Sequence, residues 1–128
     1  MEKKKSKTFT LIYWRNRMIK PQLVSFTVIS EEWGDDIEDF AVDVQIDIGP
    51  YNSEGADTFS FRVISPKRLE QYLDGNNVEI GRGIFIMKDY NIGAIQSQVN
   101  RLLDKYQGDS WVEVAILLSR YFHWEYEE

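Results

Sequence analysis

The sequence predicts an α+β domain, an antiparallel or mixed sheet of about four or five strands with helices packed on one face. Three observations carry this. Phe40, Val42, Val44, Ile46 and Ile48 are apolar at every second position, and Asp43, Gln45 and Asp47 fill most of the gaps, the period of a half-buried strand. After Gly49-Pro50 and a polar turn, residues 58–63 alternate again, which makes a β-hairpin with one greasy face and one polar face. Two apolar stripes at helical spacing follow near the C-terminus, and a lone hairpin is too marginal to stand without such a cover.

Taken in order, residues 8–14 alternate weakly and suit an initial strand or an ordered arm. Pro21 punctuates, and residues 22–30 form a strand with Val24, Phe26 and Val28 on one side. Residues 31–39 crowd like charges together, which favours an exposed loop, with Trp33 and Ile37 either pinning it to the core or serving as apolar anchors. Beyond the hairpin, Ser65-Pro66 opens a helix through Leu69, Tyr72 and Leu73, and Gly75 offers a left-handed cap. The nearly continuous apolar run in residues 83–88 predicts a strand buried on both faces, parallel to the hairpin's second strand if the two are neighbours.

Asp89 or Asn91 caps the next helix, whose stripe is Ile92, Ile95, Val99, Leu102 and Tyr106, with Gly108 ending it. Ser110 and Glu113 have capping-box spacing, and the last helix carries Trp111, Val114, Ala115, Leu118, Tyr121 and Phe122 on one side. The tail 123–128 alternates aromatic and acid, as either a short final strand or an acidic end fixed by Trp124 and Tyr126.

At 128 residues and 43% hydrophobic, the chain has enough apolar material for one core, so residues 21–128 are expected to be one domain and residues 1–20 a basic N-terminal extension. That extension holds seven lysine and arginine side chains against one glutamate, a net of +6; the remainder holds eight against twenty acids, a net of −12. Such a body repels nucleic acid and attracts a basic partner. Without cysteine there is no disulfide or thiolate metal site, and the lone His123 cannot build a histidine site. The short apolar run after the N-terminal lysines is interrupted by Arg15, Arg17 and Lys20, so neither a secretory leader nor a membrane span is read, and the cytoplasm is the expected location.

Motifs for chemistry are absent. No phosphate loop, nucleophile elbow, zinc helix or calcium loop occurs, and Gly81-Arg82-Gly83 is read as a turn. Asp43 and Asp47 lie about 13 Å apart along a strand, too far to chelate one ion. No catalytic, cofactor-binding or metal-ligating residue is assigned, and no cofactor is expected.

Gly49-Pro50, the run from Glu54 and Gly55 through Thr58-Phe59-Ser60-Phe61-Arg62-Val63, and Ser65-Pro66-Lys67-Arg68-Leu69 together resemble the immunity protein 8 family of bacterial polymorphic toxin systems. There a hairpin of this kind runs into a C-T-P-K/R-W-L helix start. The later blocks agree, from Asp89-Tyr90 through Gly108-Asp109-Ser110-Trp111-Val112-Glu113 and Leu118-Ser119-Arg120 to Trp124-Glu125-Tyr126-Glu127, so the likeness covers roughly residues 22–128. Ile64 replaces a frequent cysteine, Arg68 a frequent tryptophan, and Tyr121-Phe122 a smaller glycine-containing segment.

The resemblance implies a non-enzymatic immunity protein, an inhibitor that binds a cognate toxin domain, such as a nuclease with a basic cleft, and blocks it. The expected binding surface is Glu31, Glu32, Trp33, Asp35, Asp36, Glu38 and Asp39 together with Asp43, Gln45 and Asp47 on the polar hairpin face. The plain alternative is a solvated acidic loop. Two other classes stay open: a small acidic enzyme with a carboxylate or metal site in residues 31–47, and a homo-oligomeric module joined through its aromatic tail. The inhibitor is expected as a monomer or dimer, with no nucleic acid or membrane partner.

Overall fold

A computed structural model describes residues 18–127. The expected strand or arm at residues 8–14, and nearly all of the basic extension, lie outside the described residues. The elements run β1 (Pro21–Trp33), β2 (Phe40–Pro50), β3 (Asp57–Ile64), α1 (Pro66–Asn76), β4 (Ile84–Ile86), α2 (Ile92–Leu103), α3 (Trp111–Leu118) and β5 (His123–Trp124). They make a mixed sheet of order β1-β2-β3-β4, with β5 also paired to β3. β1, β2 and β3 form an antiparallel meander, whereas β4 runs parallel to β3 after the α1 crossover. The fold is α+β, as the alternating strands and later helical stripes predict.

The hairpin's alternation sets the two faces. Phe40, Val42, Val44, Ile46 and Ile48 of β2 and Phe59, Phe61 and Val63 of β3 are buried beneath α2 and α3, which contribute Ile95, Val99, Leu102, Val114 and Leu118. Phe122, completely buried just beyond α3, stacks against Phe85 and packs edge-on against Phe59. The opposite face is polar, and α1 docks there. Tyr72 of α1 accepts from Arg62 of β3, and Ser65, wholly buried at its start, accepts from the Phe40 amide while capping Arg68.

Several local expectations are corrected. β1 continues through Glu31, Glu32 and Trp33, where a loop is expected from like-charge repulsion, because neighbouring residues in a strand point to opposite faces. Its register slips at Val24 and Ile29, two β-bulges that let the strand bend and go on. β4 is a three-residue strand at the sheet edge, with Ile86 exposed, and is not buried on both faces. Gly75 stays helical and Asn77 takes the positive φ of 63° that closes α1. Asn91 is the cap of α2, Ile92 is exposed, and the helix stops at Leu103, well before Gly108, which instead pairs with Ile19.

The α3 start uses a displaced capping box. Ser110 accepts from the Glu113 amide, but Glu113 reaches back to the amide of Asp109 and not to that of Ser110. The helix ends at Leu118, so Tyr121 and Phe122 sit in the turns that follow. The tail is a two-residue strand. Trp124 stacks on Phe59, while Tyr126 stays exposed.

Candidate functional site

The ten residues expected to form a binding surface lie on one stretch of β1, the turn after it, and the outer face of β2. Gly34 donates its amide to the Asp39 carbonyl and Asp39 donates to the carbonyl of Asp36, closing the 34–39 turn. Inside it the Asp36 carboxylate also accepts from the Glu38 amide. A side chain at Gly34 would collide with the Asp39 carboxylate, so the closure depends on glycine there.

α1 then supplies cations to this turn. Lys67 Nζ lies 2.7 Å from Asp36, and Arg68 spans Asp39 at 2.6 Å and Glu32 at 3.0 Å. Gln71 donates to the second oxygen of Asp39. The Lys67 hydrogen bond holds the Asp36 carboxyl below its usual range, and Arg68, then Gln71, do the same for Asp39. Both cations are raised in return. A cation in the first turn of a helix opposes the helix dipole, so Lys67 and Arg68 stand where such residues are disfavoured unless carboxylates face them. Sequence reasoning missed this role; two bases in the first turn after Pro66, in a body of net −12, were the available signal.

Further along β2, Asp43 receives a two-pronged contact from Arg62 of β3 at 2.7 Å and 3.1 Å, and Ser30 donates to the same carboxylate. Arg62 keeps the Asp43 carboxyl low, against the opposing effect of burial. Asp47 has hydroxyl partners, Ser25 and Thr58, each at 2.8 Å. Trp33 packs on Phe40 and edge-on against Tyr90, so it pins the end of β1 to the core; Ile37 is 80% exposed. Burial and the neighbouring Glu31 raise the Tyr90 phenol.

The structure therefore divides the expected site. Glu32, Asp36, Asp39 and Asp43 are ion-paired within the chain, and Asp47 is held by hydroxyls. Glu31, Asp35, Glu38 and Gln45 are exposed, and none makes a salt bridge among the described residues. The pairing ties the turn to α1 and leaves a smaller free charge than its composition suggests. Among the described residues no cluster of three or more histidine, cysteine or acidic side chains has the geometry to hold a metal ion. No helix among them is long and apolar enough to cross a membrane.

No curated protein and no solved structure matches the chain. The sequence model of the family described as Immunity protein 8 matches residues 20–128, which takes in every strand and helix described above. On that match the chain belongs to the immunity protein 8 family, the immunity proteins of bacterial toxin systems, whose partner is a toxin.

Proposed function

We propose that this protein neutralises a cognate toxin domain by seating its acidic surface, the 34–39 turn and the adjoining polar sheet face, in the toxin's basic active cleft. A nuclease is the toxin class such a surface suits, since a cleft built for phosphates is cationic and accepts carboxylates in their place. The protein does this by occupancy, with no bond made or broken. The observation that carries the reading is an excess of acids whose most acidic segment is ion-paired to a helix. Residues 18–127 carry nine lysine and arginine side chains against nineteen acids, a net of −10, and the most acidic segment is fixed by Lys67 and Arg68. Preorganised carboxylates lose little conformational entropy on binding, while Glu31, Asp35 and Glu38 supply the field that steers encounter.

The test is co-expression with the toxin domain encoded beside this protein's gene. The protein is expected to restore growth and to co-purify with the toxin. A Glu31→Gln, Asp35→Asn, Glu38→Gln triple variant is expected to associate about tenfold more slowly at low salt, with a weaker salt dependence of the rate. Absence of both rescue and co-purification overturns the reading.

A further inference from the structure

Cross-strand register arranges the polar face of the sheet in three rows. Ser25, Asp47 and Thr58 lie opposite one another in the first, and both hydroxyls donate to Asp47. Ser30, Asp43 and Arg62 form the third, closed by the Arg62 contact and by Tyr72. Between them Thr27, Gln45, Ser60 and His123 face one another across β1, β2, β3 and β5. All four are exposed. The outer rows are saturated, but the side chains of Thr27, Gln45 and Ser60 make no hydrogen bond to any described residue.

Gln45, Ser60 and His123 of this middle row floor a groove of about 810 Å³. Its apolar lining includes Ile29, thrust out by the β1 bulge, and Ile80, 82% exposed in the loop before β4. The charges nearest the floor are already matched. Asp43 is paired with Arg62, and Arg82 with Glu127. A charged group entering the groove would lose its water and find no free counter-charge. A wholly apolar group would strand the Gln45 carboxamide.

We infer that the groove is where the toxin is read, and that it takes a toxin segment presenting an uncharged amide or hydroxyl flanked by apolar side chains. The polar group meets Gln45 and Ser60, and its apolar neighbours cover Ile29 and Ile80. The inference rests on the immunity reading above and adds a division of labour: the exposed acids of the turn set the encounter rate, and this neutral strip sets dissociation and the choice of toxin.

Surface plasmon resonance of the full chain against the toxin domain encoded beside its gene tests this. Gln45→Leu is expected to raise Kd about 30-fold, almost entirely through faster dissociation, with the salt dependence of association unchanged. Ile80→Ser, in a loop where folding is not at stake, is expected to act in the same direction. Wild-type binding that both variants retain within threefold overturns the strip while leaving the immunity reading intact, whereas no wild-type binding overturns that reading and the strip with it. Self-association of the chain that Gln45→Leu abolishes, with toxin binding unaffected, assigns the groove to a second copy and likewise overturns the proposal.

Discussion

Replacing Asp57 by alanine is expected to loosen the C-terminal third of the molecule. Asp57 opens β3, and one of its carboxylate oxygens accepts from two indoles, Trp111 Nε1 at 2.7 Å and Trp124 Nε1 at 3.0 Å. The first tryptophan begins α3 and the second lies in β5, so a single side chain ties a helix and the terminal strand to the central hairpin. All three residues are partly buried, and a hydrogen bond to an ionised acceptor in such a place contributes about 1.5 kcal/mol. Two such bonds give a loss of about 3 kcal/mol for Asp57→Ala, or about 12 °C in Tm for a domain of this size. Urea denaturation followed by tryptophan fluorescence measures it. In a Trp124→Phe background the same substitution should cost about half as much, because one donor is already gone. A loss below about 0.5 kcal/mol, or equal losses in the two backgrounds, would refute the double acceptance.

Further outcomes follow from the same contacts. Asp36, Asp39 and Asp43 have folded pKa values held below the usual aspartate value of about 3.9, so the stability they contribute is full above that pH and disappears as pH falls through the lowered folded values. The urea midpoint should therefore drop as the pH falls below about 4, and the drop should be shallower in Asp43→Asn; identical acid profiles would remove the Arg62 pair from the explanation. Gly83 holds φ of 73°, and a side chain there would run into the His123 ring, so Gly83→Ala should cost about 2 kcal/mol and release the β5 amides to faster hydrogen exchange.

The hairpin was legible because one face of β2 and β3 is buried without interruption, which forces strict alternation from Phe40 to Ile48 and from Phe59 to Val63. The capping residues Ser65, Asn91 and Ser110 could likewise be read, since each acts on an amide three residues away. What escaped was decided by residues distant in the chain. The run 31–33 reads as a loop until Arg68, more than thirty positions later, is placed against Glu32. β4 has the composition of a central strand, yet it pairs on one side only, through Arg62, Val63 and Ile64 of β3. The acids of the proposed surface were visible as composition, but which of them stay free depends on α1 crossing to the polar face. The unused row of Thr27, Gln45 and Ser60 exists only once the bulges fix the β1 register.

The central claim is inhibition by occupancy, and titration of toxin activity measures it most directly. With the toxin domain held well above the Kd, activity should fall linearly as this protein is added and reach zero at one molecule per toxin. Complete loss at a small fraction of that ratio would mean that the protein turns over, and activity untouched at a severalfold excess would mean that it does not bind; either contradicts the account.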